Sequence, residues 1–475
     1  IYTTLDTRMQ KYAEASVQKQ MAVIQRNFNN HWGKTNPWQN EKHEEIPNFI
    51  EDLAKRTDAY KYYSAKYPDD PDSVTYYLNQ PHKVKLFSYE GQKEEMMSTM
   101  DSIRYMVKFM HCGFVAIEPE SGAVKAWVGD VDFDSWKYDK VLAMRQPGST
   151  FKLFVYTEAM NQGLTPCDTR VDEWKQYPDT INGEPTTWTP TNANGYFTGA
   201  DIPLKAAFAQ SINSIAVKLG YEMGIHNVAR TAHAMGIKSP LHETPSLSLG
   251  ASDVNLLELV NSYGTVINDG KAHDPILVDK IVDRYGNVIY EAEVQDVQAI
   301  PYRSAYLMQQ LLRGGMTERG GTTAALWSYI HPVASLTEFG GKTGTSNNHS
   351  DAWFVGVTPK LVVGAWVGGE YRSIHFRTGA LGQGSRTALP ICGYFLNDVL
   401  QDDRFAQYRV KFAPPKEELD PSSWNCSSYY YVPADTDSVS ADTLDLRIES
   451  VERDSLLEGK TQENIELPAL EPVLP

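Results

Sequence analysis

The placing of short apolar runs constrains the fold of this chain most. Phe114 to Ile117 and Val124 to Val128 flank the turn Pro119-Glu120-Ser121-Gly122 and read as a hairpin. Far along the chain, Phe339 to Thr345, Ala352 to Val357 and Leu361 to Gly368 read as three successive strands, with Thr358-Pro359-Lys360 turning between the last two. Between the two groups, residues 164–300 read as mostly helical and looped. A helix is predicted from Ser149 to about Gln162, closed by Gly163 with Pro166 beyond it. Its residues Phe151, Leu153, Phe154, Val155 and Tyr156 are apolar nearly all round, so it should be buried. A second helix is predicted over Leu389 to Leu400. Strands at both ends of a domain, enclosing a helical middle, predict an α+β architecture: an antiparallel sheet with helices against its faces.

At 475 residues the chain has room for two or three domains. Three parts are expected: an N-terminal segment and linker module over 1–110, the main domain over 111–412, and an acidic tail or small appendage over 413–475. The first part opens with a short strand, Ile1 to Thr4. A helix to about Gln25 follows, with Thr7 as its cap and Met9, Tyr12, Ala13 and Val17 at helical spacing. Val84, Leu86 and Ser88 alternate before Glu90-Gly91 and suggest a hairpin. The tail holds Pro414-Pro415, a Ser/Tyr cluster from Ser427 to Tyr431 and a Pro/Leu-rich end. No internal repeat is present.

The net charge is −16, from 44 basic and 60 acidic residues, which argues against nucleic acid as a partner. From Ala413 to the end, 4 basic and 14 acidic residues carry 10 of those excess charges, so most of the acidity lies outside the main domain. The cysteines, Cys112, Cys167, Cys392 and Cys426, match no zinc or CxxC spacing. They read equally as free thiols or as one or two disulfides. The 11 histidines show no HExxH spacing and there is no Gly-rich phosphate loop, so neither metal nor cofactor is expected. No run of about 18 apolar residues occurs. No signal peptide is visible, and a chain opening on Ile1 reads as a fragment or a processed product.

Three short motifs carry the chemistry. In Ser149-Thr150-Phe151-Lys152 the serine and lysine stand at i and i+3 on one helix face, with Cβ atoms about 5–6 Å apart. Pro147-Gly148 starts that helix, which puts Ser149 at the positive end of its dipole, where a developing oxyanion is favoured. Lys152 can act as a base only if its pKa falls, through burial and a second cation such as Lys342. The pattern alone is weak: Ser16-Val17-Gln18-Lys19 also matches, on a polar helix, and is read as noise. Ser211-Ile212-Asn213 stands before Ile215-Ala216-Val217 and reads as a helix cap. In a cleft it would also supply a proton relay (Ser211) and a group that binds a substrate amide and fixes Lys152 (Asn213). Lys342-Thr343-Gly344-Thr345 is the rarest, with a chance frequency on the order of one per cent. Its glycine opens a strand to close approach by a substrate backbone, Thr343 and Thr345 suit a carboxylate, and the backbone N–H groups of Thr345 and Ser149 suit an oxyanion hole.

In this order the motifs resemble those of the penicillin-binding transpeptidases, in particular the C-terminal part of the bifunctional, class A type. Ile1 to Asp6, Gly113 to Gly122, Arg145 to Lys152, Leu247-Ser248-Leu249-Gly250-Ala251, Asn261-Ser262-Tyr263-Gly264 and Thr322-Thr323-Ala324 extend the likeness. It covers about residues 1–20 and 80–405. It implies the penicillin-binding transpeptidase fold, a five-stranded antiparallel sheet packed between helices with a separate all-helical lobe. It also implies a serine D,D-transpeptidase of peptidoglycan synthesis. Ser149 would be the nucleophile, Lys152, Ser211, Asn213 and Lys342 its catalytic partners, and Thr343, Gly344 and Thr345 the substrate strand. The implied partners are stem peptides (a D-Ala-D-Ala donor and an amine acceptor), β-lactam antibiotics, the membrane through an upstream anchor, and other cell-wall synthesis proteins. The implied location is the periplasmic face of the inner membrane. The upstream glycosyltransferase domain of such proteins lies outside this sequence.

Two neighbouring readings stay open at this level. A D,D-carboxypeptidase differs only in using water as the acyl acceptor, and a β-lactam sensor would use acylation as a signal. A class A β-lactamase is disfavoured, because no Glu-x-x-x-Asn motif stands between Ser211 and Lys342.

Overall fold

The computed structural model describes residues 1–40, 42–181, 184–426 and 429. Its centre is a sheet of five strands: β1 (Met110–Ile117), β2 (Val124–Val128), β3 (Gly340–Thr345), β4 (Asp351–Val357) and β5 (Val362–Gly369). Every neighbouring pair is antiparallel and the order is β3-β4-β5-β1-β2. All residues of β1, β4 and β5 are buried, because both faces of the sheet are covered. Successive side chains therefore go to two different cores. Phe114, Phe354 and Ala365 enter one; Val115, Trp353, Val355 and Trp366 enter the other.

The longer helices that pack into these two cores include α1 (Thr7–Trp32), α2 (Lys152–Asn161), α3 (Asn213–Met223), α4 (Leu256–Ile267), α5 (Tyr302–Thr317) and α6 (Ala388–Gln401). The first core is closed by α1 and α6, with Phe395 of α6 against Phe114 at a ring distance of 4.9 Å. In α1 the buried stripe Met9, Ala13, Val17, Met21, Ile24, Phe28 and Trp32 runs past the predicted end at Gln25, and the helix continues with it. Its cap is Asp6, not Thr7: the Asp6 carboxylate accepts from the N–H groups of Arg8 and Met9, and a negative charge suits that helix end better than a hydroxyl. The second core is closed by α4 and, beyond it, a lobe built on α2, α3 and α5. Two short strand pairs, Thr169–Val171 with Asp201–Pro203 and Tyr177–Ile181 with Glu184–Trp188, edge this helical lobe.

The expected strands and helices of the main domain are all present, with ends moved by a residue or so, save that β1 starts earlier, at Met110. The hairpin expected near Val84 pairs His82–Leu86 with Lys93–Met97. The opening strand, Tyr2–Thr3, pairs with Val278–Val282. Cys167 and Cys426 form a disulfide, while Cys112 and Cys392 are buried thiols whose pKa burial pushes up. The disulfide holds residues 413–426 as a strap on the lobe, where Trp424 packs on Tyr306 at 5.2 Å and its carbonyl accepts from Lys205. Most of the Ser/Tyr cluster and the Pro/Leu-rich end lie outside the described residues.

Candidate active site

The segment Gly148–Phe151 is a single 3₁₀ turn that runs directly into α2. Ser149 sits in that turn, half-buried, and Lys152 one turn on is fully buried. The turn is held from every side. Thr150 Oγ1 donates to the Pro147 carbonyl at 2.7 Å, Tyr263 OH to the Thr150 carbonyl at 2.8 Å, and Trp353 Nε1 to the Gln146 carbonyl at 2.7 Å. Gly148 has φ +53°, and a β-carbon there would lie 2.6 Å from the Thr345 carbonyl oxygen. A β-carbon on Gly250 would collide with the Gly148 backbone from the opposite side. The Leu247–Ala251 segment thus serves as a backstop for the serine.

Strand β3 is an edge strand, so its outer side is free to line a cleft. On the side where a β-carbon would project from Gly344, the space is filled by the Pro147 carbonyl. The glycine lets the strand and the Ser149 turn touch, which sets Thr345 beside Ser149. Thr343 Oγ1 donates to Thr322 Oγ1 at 2.8 Å, and Thr345 Oγ1 accepts from the Gly384 N–H at 3.1 Å.

The third motif lies between two lysines. Lys152 Nζ donates to the Ser211 carbonyl at 2.7 Å, to Ser211 Oγ at 3.2 Å and to Asn213 Oδ1 at 2.6 Å. Lys342 Nζ donates to Ser211 Oγ at 2.8 Å and to its neighbour's carbonyl, of Thr343, at 3.2 Å. Ser211 adopts φ +60°, a conformation rare outside glycine, and this turns its carbonyl and hydroxyl together towards the amines. Both amines are buried. Burial and the charge of Lys342 hold Lys152 well below its ordinary value, and burial pushes Lys342 down to about 7. Lowering the pKa of a lysine amine is what lets it take a proton from a hydroxyl.

Ser149, Ser211, Asn213, Thr343 and Thr345 line one cleft of about 660 Å³. Lys152 and Lys342 do not line the cleft themselves; both are buried behind it and reach it through their bonds to Ser211. All three motifs therefore meet at one place. A larger hollow of about 760 Å³, between the helix Ile225–Ala234 and the strands near Val278, contains none of these groups. The decoy pair behaves differently: Ser16 Oγ is satisfied by the Tyr12 carbonyl and Lys19 lies over the Tyr394 ring.

The cap expected of Ser211 is supplied from elsewhere. Asn192 Oδ1 accepts from the N–H groups of Asn213 at 3.0 Å and Ser214 at 3.1 Å. The residues Thr189-Pro190-Thr191-Asn192 read only as a polar loop, and no spacing rule links them to a motif so far downstream. Gln383 and His349 also line the cleft without a sequence signal, since loops after β3 and before α6 carry them there.

Comparison with known proteins gives the same family as the motifs. The Penicillin binding protein transpeptidase domain matches residues 112–367, more than half of the chain. The Penicillin-binding protein middle domain matches residues 33–110, including a stretch where the motifs showed no likeness. Penicillin-binding protein 2D of Bacillus subtilis is 34% identical over 263 residues, covering 55% of this chain and 37% of its own length. Penicillin-binding protein 1A of Rickettsia felis is 28% identical over 472 residues, covering 86% of this chain and 55% of its own length. This chain thus spans about a third to just over half of those two relatives. The crystal structure of penicillin-binding protein 1A from Haemophilus influenzae is similar in fold, with a TM-score of 0.63, 18% identity and coverage of 93% of this chain and 72% of that one. By its sequence match, its fold and its assembled motifs, the chain belongs to the penicillin-binding protein transpeptidase family.

Proposed function

We propose that the chain is a serine D,D-transpeptidase that cross-links peptidoglycan stem peptides through an acyl-enzyme on Ser149. The observation that carries this reading is the convergence of two buried amines, Lys152 and Lys342, on Ser211 in the cleft that Ser149 lines. Neutral Lys152 takes the proton of Ser149 Oγ as that oxygen attacks the carbonyl between two terminal D-alanines. The N–H groups of Ser149 and Thr345 stabilise the oxyanion, and Thr343 and Thr345 receive the terminal carboxylate. Ser211 passes the proton to the leaving nitrogen, and D-alanine departs. An amine on a second stem peptide then attacks the ester, its proton returns through Lys152, and Ser149 regains its hydroxyl. A β-lactam presents a strained amide to the same serine and remains as an ester. No cofactor is needed for any step.

The Cys167–Cys426 disulfide supports an oxidising, extracytoplasmic setting at the bacterial cell envelope. Among the described residues no helix is long and apolar enough to cross a membrane, so attachment through an upstream segment belongs to the proposal. So do the division into 1–110, 111–412 and 413–475, and contacts with other cell-wall synthesis proteins.

The test is intact-mass spectrometry of the protein with excess benzylpenicillin. One adduct is expected, absent in Ser149→Ala; no adduct, or one that survives the substitution, overturns the reading. A D-Ala-D-Ala peptide with an added amine then separates transfer, the expected outcome, from hydrolysis.

A further inference from the structure

The motif that receives the two lysine amines is braced from behind by a buried carboxylate. Asp172 follows the strand Thr169–Val171 and is only 1% exposed. Its Oδ1 accepts from Asn192 Nδ2 at 2.8 Å and from Ser214 Oγ at 2.5 Å. Its Oδ2 accepts from the N–H of Thr198 at 2.9 Å and from Thr198 Oγ1 at 3.0 Å. Four donors converge on two oxygens, a demand that only an acceptor-only group meets. Two of those donors continue into the cleft. Asn192, fixed by Asp172, caps α3 at Asn213 and Ser214, while the residue at the cap position, Ile212, has no side chain able to do so. Ser214 is the residue after Asn213. The Asn213 side chain is then oriented at both ends, with Nδ2 donating to the Thr191 carbonyl at 2.8 Å and Oδ1 accepting from Lys152 Nζ at 2.6 Å.

From this chain of contacts we infer that Asp172 is a positioning residue for acylation, acting through Asn192 and Ser214 to set Asn213 against Lys152. The inference rests on the acyl-transfer reading of the site. In Asp172→Asn an amide nitrogen replaces one oxygen. Either Asn192 Nδ2 or the Thr198 N–H then faces another donor, and the loop carrying Asn192 must move. Asn213 then loosens its hold on the Lys152 ammonium. A hydrogen bond to the charged form is lost, so the pH at which Lys152 becomes a base falls. A displacement of this kind costs about 10- to 100-fold in rate. Adding Asn192→Asp to Asp172→Asn exchanges the two groups. The amide at position 172 donates to the carboxylate at 192, which still accepts from the N–H groups of Asn213 and Ser214, while the Ser214 hydroxyl rotates to suit; only the bond from Asn192 Nδ2 to the Tyr196 carbonyl at 3.1 Å is lost, so the exchange restores the network in part.

The experiment measures the second-order acylation rate with a fluorescent penicillin from pH 5 to 10, with thermal melting, for the wild type, Asp172→Asn and the double variant. A wild type that is not acylated sinks the acyl-transfer reading itself. Given an active wild type, the expected result is a 10- to 100-fold slower single variant, its rising limb moved to lower pH, and partial recovery of both rate and limb in the double variant. A single variant with wild-type rate and limb overturns the inference. So does a double variant that regains the wild-type melting temperature but stays as slow as the single one.

Discussion

Gly148 touches Thr345: a β-carbon on the glycine would stand 2.6 Å from the threonine's carbonyl oxygen. This contact joins the turn that carries Ser149 to the strand that carries Lys342, and it makes backbone packing the fixed part of the cleft. Gly148→Ala should therefore destabilise the protein by about 1–3 kcal/mol, through the positive φ and the clash together. Acylation should fall more steeply than stability. Melting temperatures and penicillin-labelling rates on the same samples check this, and Gly250→Ala should do the same from the far side.

Lys152→Met removes the proposed base while keeping the length of the side chain. Labelling of Ser149 should slow by about 10²–10⁴-fold. Stability should be little changed, because an apolar side chain replaces a group whose burial is costly. Stopped-flow acylation and calorimetry measure the two effects. An unchanged rate would remove Lys152 from its role.

The charge of Lys342 is one of the two causes that lower the Lys152 pKa. Lys342→Met should accordingly move the rising limb of the acylation–pH profile to higher pH, in addition to lowering the plateau. The profile from pH 5 to 10 decides it.

Lys342 also predicts a stability difference. Its amine is pushed from an ordinary 10.5 down to about 7. Between those values the unfolded chain holds a proton that the native chain has released. The wild type should therefore gain stability over Lys342→Met as pH rises through that window, by at most about 1.4 kcal/mol per pH unit, and lose the gain as pH falls towards 7. Urea unfolding at several pH values measures the slope.

The strap fixes where the C-terminus can be cut. Ending the chain after Tyr429 leaves the Cys167–Cys426 disulfide and the Trp424–Tyr306 contact intact, and acylation should be unaffected. Ending it at Phe412, or reducing the disulfide, should lower the melting temperature by several degrees, because a long loop of the unfolded chain is no longer closed. Melts with and without reductant compare the two.

The sheet was legible because strands covered on both faces must be apolar along their whole length, as in Ala352 to Val357 and Leu361 to Gly368. The helix that follows Ser149 was legible from its apolar circumference and Gly163. Ser149, Lys152, Ser211, Asn213 and Lys342 were legible because each lies in a compact local pattern. Asn192 and Asp172 were not, because their significance depends on contacts 20 to 42 residues away that no local spacing encodes. The role of Gly344 is hidden for a related reason. A strand glycine announces that something comes close, but whether that is a substrate or Pro147 is decided by tertiary packing.

The strand order β3-β4-β5-β1-β2 also sets a schedule for making the protein. The hairpin of β1 and β2 leaves the ribosome long before β5, the strand that must pair with β1. Until then its apolar faces have no sheet to join, and Ser149 has neither Lys342 nor Thr345 beside it. Such late, long-range pairing folds slowly and exposes the waiting segment to aggregation. The same delay means that a half-made chain has no assembled site: the cleft comes into being only after its last motif has been synthesised.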